Sequence, residues 1–229
     1  MKGELLEALV DARSARRSVV LLTWLESGKQ RIVGGPQELE GDATLAAAVS
    51  EALVSDRASS VETPSGPVFV HPHNPSLRIA IVGAVHIAQH LAALAVRLGH
   101  GVMVVDPRTA FASPERFPGV ALSHEWPDVA LDRFGLDARS AVVTLSHDPK
   151  LDDPALERAL HSEAFYIGAL GSLRTQAKRR ERLLAQGFGQ EAIARVHGPV
   201  GLDLGARSPA EIALSIAAEI TRSLRQPSA

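Results

Sequence analysis

From residue 77 onward the chain alternates short apolar runs with amphipathic stretches, and that alternation leaves few folds open. Residues 77–82 (LRIAIV), 102–105, 140–145 (SAVVTL) and 164–167 (AFYI) are apolar runs of strand length. Helical patterns lie between and after them. Residues 86–98 set Ile87, Leu91, Leu94 and Leu98 on one stripe and stop at Gly99-His100-Gly101. A second helix is expected from Asp153, with Pro154 at its first helical position, where a missing N–H costs nothing. A basic helix runs from Ser172 to about Gln186 and stops at Gly187. The last helix opens at Ser208-Pro209-Ala210-Glu211, where the serine can cap and the glutamate can reach back to the cap N–H. Its residues Ile212, Ile216 and Ile220 then bury one face. Strands alternating with helices in this way predict a Rossmann-like α/β domain, a parallel sheet with helices on both faces.

Residues 1–76 predict a separate, small α/β region. Leu5, Leu6, Leu9 and Val10 sit at helical spacing, and 18–25 (SVVLLTWL) is a β-type run ending at the Ser27-Gly28 turn signal. Residues 30–33 lead into Gly34-Gly35-Pro36, and a helix is expected over 42–53. Residues 61–75 are proline-rich and end in His71-Pro72-His73-Asn74-Pro75, which reads as a linker. The His71/His73 pair has prolines around it and no further ligand at suitable spacing, so no metal site is expected there. The expected division is therefore 1–76 and 77–229.

The chain contains no cysteine. That excludes a disulfide framework, a thiolate zinc site and a cysteine nucleophile or persulfide carrier on this polypeptide. A net charge of -2 gives no electrostatic footprint for nucleic acid. The first residues carry Glu4 and Glu7 and do not read as a secretory signal, and no apolar run approaches the roughly 20 residues of a membrane helix. The expectation is a cytoplasmic protein without membrane or nucleic-acid partners.

In open parallel sheets, ligands bind outside the carboxyl ends of the strands, where the strand order reverses. Four such ends carry unusual residues. The first is Gly83-Ala84-Val85-His86-Ile87-Ala88. A dinucleotide fingerprint would put glycine at 83, 85 and 88; only Gly83 fits, and Val85 sets a branched side chain where a pyrophosphate would approach the backbone. The helix N-terminus keeps its N–H groups as an anion site, with a ligand-free tight turn as the alternative. The second is Asp106, in the position of the acidic residue that bonds a ribose hydroxyl, with Arg108 able to hold it in an ion pair instead. The third, Ser146-His147-Asp148-Pro149, offers a histidine beside carboxylates, with Asp148-Pro149 read as a turn and Asp153 as a helix cap. The fourth, Gly168-Ala169-Leu170-Gly171-Ser172, precedes a helix N-terminus and predicts a nest of N–H groups suited to phosphate, with Arg174 one turn further on. Lys178, Arg179, Arg180 and Arg182 read as a solvated face.

Taken together, IAIVGAVHIAQHLAALA (79–95), VVDPRTAFASPERFP (104–118), VVTLSHDPKLDDPAL (142–156), YIGALGSLRTQAKRRERL (166–183) and HGPVGLDLGARSPAEIALSIAAEI (197–220) resemble the xanthine dehydrogenase accessory protein (XdhC/CoxI) family. The resemblance implies an accessory protein that binds molybdenum cofactor, as molybdopterin or its cytosine dinucleotide, and helps deliver it to an apo molybdenum hydroxylase of the xanthine or carbon monoxide dehydrogenase type. It implies a separate cysteine desulfurase for terminal sulfuration. The sequence departs from the family pattern at Val85, where a glycine is usual, and at Gly34-Gly35-Pro36-Gln37-Glu38, where the family carries a Gly-Gly-Cys core. The first departure bears on nucleotide binding at the first loop, the second on any step in which the N-terminal half touches molybdenum or sulfur.

The sequence therefore predicts a cofactor-binding chaperone with no catalytic residue and no metal ligand of its own. Its candidate contacts are Gly83, Ala84, His86, Asp106, Arg108, Ser146, His147, Asp148, Gly168, Gly171, Ser172 and Arg174. NAD(P) is not expected. An NAD(P)-dependent oxidoreductase and a docking subunit for the apo-hydroxylase stay open as alternatives, as does a homodimer.

Overall fold

The computed structural model describes residues 3–226; Met1 and Lys2, on which the leader reading partly falls, lie outside them. Contacts divide the chain into two units, Met1–Pro75 and Ser76–Ala229.

The N-terminal unit contains α1 (Gly3–Ser14), β1 (Val19–Trp24), β2 (Gln30–Val33), a 3-10 turn at Pro36–Glu38, α2 (Ala43–Ser55), β3 (Ser59–Thr63) and β4 (Gly66–His73). The strands form an antiparallel sheet in the order β2-β1-β4-β3. Its core joins Val20, Leu22, Val68 and Val70 of the central strands to Leu45 and Val49 of α2. Asp42 caps α2 by accepting from the Leu45 N–H at 2.9 Å.

The expected linker is wrong over most of its length. Residues 59–63 and 66–73 are strands, and β4 is one of the two central ones. Two prolines in β4 hid this, since proline cannot donate to a ladder. The register explains how they are accommodated. The carbonyl of Pro67 faces β1, where Leu25 N–H donates to it at 2.9 Å. Alternation along an antiparallel strand then turns the Pro72 nitrogen to the other side, and β3 pairs only as far as Val70. Pro72 meets no strand where its N–H would be needed. His71 and His73 share one face of β4 with ring centroids 4.4 Å apart, and burial together with the neighbouring imidazole lowers the pKa of His73.

The C-terminal unit contains β5 (Arg78–Val82), α3 (His86–Arg97), β6 (Gly101–Val105), β7 (Ala121–Ser123), α4 (Pro127–Phe134), β8 (Ser140–Thr144), α5 (Pro149–Leu160), β9 (Tyr166–Ala169), α6 (Leu173–Ala185), α7 (Gln190–Ala194), β10 (Val196–His197) and α8 (Pro209–Arg225). The sheet is parallel throughout, in the order β10-β9-β8-β5-β6-β7. Successive side chains of a strand point to opposite faces. Ile79 and Ile81 of β5, with Val104 and Val143, pack under α3 and α8 through Leu91, Ile216 and Ile220. Ala80 and Val82, with Val142 and Ile167, pack on Leu131, Leu156, Leu183 and Ile193 of α4 to α7. Covering both faces explains why the strands read as continuous apolar runs.

The four strongest runs are strands as expected, within two residues at each end. β7 and β10 were not foreseen, because three and two residues carry no readable period. The helix expected from Asp153 starts a turn earlier. Asp148 is its cap, accepting from Lys150 N–H at 3.0 Å, Pro149 takes the first position, and Pro154 lies inside the helix. A cap followed by proline occurs twice in that segment, and burial of Leu151, Asp152 and Asp153 selects the longer helix. The expected capping box of α8 is present: Ser208 accepts from Glu211 N–H at 3.2 Å and Glu211 accepts from Ser208 N–H at 2.8 Å. Ser208→Ala removes one side of it and is expected to cost about 1 kcal/mol in urea unfolding.

Candidate functional site

The strand order runs β5-β6-β7 in one direction and then continues with β8-β9-β10 on the other side of β5. The crevice of a doubly wound sheet therefore falls at the carboxyl ends of β5 and β8. Gly83 follows β5 with φ +99, in the left-handed region, and a Cβ built on it would stand 2.7 Å from the backbone nitrogen of Ser146 after β8. The glycine makes room for a neighbouring loop.

Asp106, fully buried after β6, completes this closure. Its Oδ2 accepts from Ala84 N–H at 2.9 Å and from Arg108 Nη2 at 2.8 Å. Its Oδ1 accepts from Arg108 Nε at 2.8 Å and from the Arg108 backbone N–H at 3.0 Å. Burial alone would push this carboxyl up; the four N–H donors outweigh it and hold the pKa below the ordinary value. Each oxygen already accepts two hydrogen bonds, so a ribose hydroxyl would have to displace one. Of the two roles the sequence left open for Asp106, the ion pair with Arg108 is the one found. Gly83, Ala84, Asp106, Arg108 and Ser146 thus converge on one another. His86 opens α3 and is exposed.

The loop after β8 is tied down from below. Ser146 Oγ donates to Asp152 Oδ1 at 2.6 Å. His147 is exposed, with φ +61, uncommon for a residue other than glycine. Asp148 serves as the cap of α5.

At the fourth end, Gly168 is not in a loop. It lies in β9, paired with Val143 and His197, and a Cβ there would come 2.5 Å from Val200. Its backbone is committed to the sheet, so the nest is shorter than the sequence suggested. Leu170 N–H donates to Thr144 O at 2.9 Å. Ser172 caps α6, accepting from Thr175 N–H at 3.2 Å. Among the described residues, the N–H groups of Gly171, Ser172, Leu173 and Arg174 make no hydrogen bond. These four donors at the start of a thirteen-residue helix are an open anion-binding element of the sheet edge; among the described residues the N–H groups of Val85, His86 and Ile87 at the uncapped start of α3 make no hydrogen bond either.

The basic face of α6 is not simply solvated. Arg179 is 3% exposed and Arg182 is partly buried. Arg179 Nη2 donates to Leu170 O at 3.0 Å and stands 3.5 Å from Asp152 Oδ2, while Nη1 bonds Gln176 Oε1. Its Nε is buried without a partner. Burial raises the pKa of Asp152 and lowers that of Arg179, each offset in part by the other. Arg182 clamps Asp153 through Nε at 2.5 Å and Nη2 at 2.8 Å. Asp153 is therefore an ion-pair partner and not a cap. Asp152 and Arg179 escaped the sequence reading, although Gln176, Arg179 and Leu183 fall on one stripe of α6 with the buried leucine. Between the β8–α5 loop and α6 lies a cavity of about 210 Å3, lined by His147, Asp152, Arg174, Lys178, Arg179 and Arg182. It brings His147 and Arg174, chosen separately from the sequence, to one place. Among the described residues no group of three or more His, Asp or Glu is placed to hold a metal ion.

A second buried network fixes the segment after β10. Tyr166 O–H donates to Glu219 Oε2 at 2.6 Å, Gly201 N–H donates to the same oxygen at 2.7 Å, and His197 Nδ1 lies 3.3 Å from Oε1. The His197 ring stacks on Tyr166 with centroids 4.6 Å apart. Burial opposes the charge on Glu219, but the bonds from His197, Tyr166 and Gly201 hold its pKa at about 2. Burial and the carboxylate push the Tyr166 phenol up.

Two outcomes follow from this geometry. Calorimetric titration is expected to find no saturable NAD or NADP binding, and Val85→Gly alone is expected not to create it, because Asp106 and Ala84 N–H stay engaged. The Glu219 carboxylate, held below its ordinary value, contributes stability that is complete above about pH 4.5 and is lost as pH falls through about 2. Glu219→Gln is therefore expected to lower unfolding free energy by on the order of 3 kcal/mol at pH 7. The gap to the parent should close between pH 4 and 2, read by urea unfolding across pH.

Known proteins share this arrangement of strands and loops. A family model described as the XdhC Rossmann domain matches residues 79–220. The chain is 33% identical over 159 residues to the uncharacterized protein YqeB of Escherichia coli, covering 67% of this chain and 28% of that protein. It is 32% identical over 160 residues to a probable xanthine dehydrogenase subunit of Bacillus subtilis, covering 69% and 46%. It is 32% identical over 146 residues to the molybdenum cofactor insertion chaperone PaoD of E. coli, covering 64% and 40%. The chain thus spans less than half the length of these curated relatives. A crystal structure described as a xanthine dehydrogenase from Bacillus halodurans has the same fold, with a TM-score of 0.68 at 23% identity, covering 98% of this chain and 65% of that one. Among the described residues no helix is long and apolar enough to cross a membrane. The family match extends from β5 to α8 and takes in all four strand ends, and the protein belongs to the XdhC Rossmann domain family.

Proposed function

We propose that the protein is a maturation factor that carries molybdenum cofactor and assists its insertion into a molybdenum hydroxylase of the xanthine or carbon monoxide dehydrogenase type. The observation that carries this reading is the edge formed by Gly171, Ser172, Leu173 and Arg174, whose four N–H groups, among the described residues, are unengaged beside an arginine with no acidic partner. Molybdopterin, alone or as its cytosine dinucleotide, is an anionic phosphate ester, and such an edge suits its phosphate end. The name of the E. coli relative PaoD, a cofactor insertion chaperone, supports the same reading.

The donor set fits the phosphate end and offers nothing soft to the metal. The chain has no cysteine, so molybdenum–sulfur chemistry falls to the cofactor's own dithiolene and to a separate cysteine desulfurase. Release to an acceptor is then a transfer between two sites for one anion, and the protein's residues bind and shield without making or breaking bonds. The engaged Asp106 weighs against the oxidoreductase alternative. Protein purified from a host that makes molybdopterin is expected to carry pterin at up to one per chain in native mass spectrometry, and to restore activity to an apo-hydroxylase. Protein free of pterin that leaves reconstitution unchanged would refute the reading, and a pterin-independent complex with the apo-hydroxylase would favour a docking role.

A further inference from the structure

We propose that the cavity between the β8–α5 loop and α6 is a binding site for a single phosphate-type oxyanion, held by Arg174, Lys178 and Arg179. The inference rests on the cofactor-carrying reading for its natural ligand, the phosphate ester of a pterin, and adds Lys178 and Arg179 to the Arg174 that reading already uses.

Three observations converge. The first is charge. Of the four cations around the cavity, Arg182 is taken by Asp153 at 2.5 Å and Arg179 faces Asp152 at 3.5 Å. Among the described residues Arg174 and Lys178 have no acidic partner, so the cavity carries uncompensated positive charge with His147 beside it. The second is the state of Arg179. A guanidinium with a side chain 3% exposed ordinarily uses all of its donors, because a buried unpaired N–H loses water without replacement. Here Nε has no acceptor and the carboxylate stands 3.5 Å away. Arg179 lines the cavity as a buried cation that has not used all of its donors, which favours an anion beside it. The third is size. About 210 Å3 is below the range typical of sites for whole drug-sized ligands, which begins near ~300 Å3. It accommodates one phosphate group and leaves the rest of the ligand outside.

The carboxylates set the selectivity. Asp152 and Asp153 neutralise one cation each, so the cavity favours a compact anion over a polyanion. Arg179 stays in place with or without ligand through Leu170 O and Gln176. Arg174 and Lys178 are free to close on the anion.

The test uses the full chain with inorganic phosphate and released molybdopterin as separate probes. Calorimetry is expected to show saturable phosphate binding that weakens as chloride is raised. Arg174→Ala with Lys178→Ala should weaken it by about tenfold or more, since each removes a charge-assisted contact from a side chain outside the core, which leaves the fold intact. Arg180→Ala removes equal charge from the other flank of α6, where a second cavity of about 390 Å3 lies, and should leave phosphate binding unchanged. Absence of saturable phosphate binding, or equal loss in the Arg180 variant, overturns the proposal. If the parent and the double variant retain pterin equally, the subsite is wrong while the cofactor-carrying reading stands. If phosphate binds in this cavity and pterin never does, the subsite stands and that reading falls.

Discussion

The contact of Ser146 with Gly83 governs how this domain can be used. It occurs where the strand order reverses, the place at which a doubly wound sheet ordinarily opens a crevice for a ligand. The absent side chain at Gly83 lets the loop after β8 come down on the loop after β5. Asp106 then fills the adjoining N–H at Ala84, with Arg108 neutralising its charge from outside. The first loop keeps the glycine of a dinucleotide site but uses it for internal packing. With Gly83 and Asp106 spent on internal contacts, the sheet edge of the described residues offers free donors not only at the start of α3 but also displaced one strand further out, beyond β9.

That displacement gives α6 its importance. Its N-terminus carries four N–H groups unengaged among the described residues, and its inner stripe carries a buried arginine. Asp152 does two jobs for this arrangement. It receives Ser146 Oγ at 2.6 Å, which holds the closing loop, and it faces Arg179, which ties α6 to α5. Replacing one partner of such a pair leaves the other buried and uncompensated, the costly case for buried ions. The loop after β8 and the helix α6 thus share one carboxylate. On the far side of the sheet, Glu219 does comparable work for Tyr166, His197 and Gly201.

Much of the fold was legible in the residues themselves. The runs at 77–82, 102–105, 140–145 and 164–167 were too uniformly apolar for a sheet with a wet face, and burial from both sides is what they obtained. Ser208 and Glu211 announced α8, because a capping box is a contact between residues three apart. Where the sequence misled, the deciding contact was distant. The prolines of β4 spoke locally for a linker, and only the end of β3 opposite Val70 makes Pro72 harmless. Asp148-Pro149 and Asp153-Pro154 are locally equivalent helix starts, and Arg182, on another helix, claims Asp153.

The site divides along the same line. The sequence by itself determined which strand ends would carry glycine, acid and base, and that the chain offers no thiolate. Those are properties of residue types and their order, set by local backbone preference and side-chain chemistry. Only the tertiary structure decided which of these groups are spent on one another. Asp106 and Arg108 could have been a ribose contact or an ion pair, and Arg179 could have been solvated or buried. For Asp106 the N–H of Ala84, from the loop after β5, takes an oxygen beside the local pair with Arg108; for Arg179 the packing of α6 against α5 and the end of β9 sets Asp152 at 3.5 Å and Leu170 O at 3.0 Å.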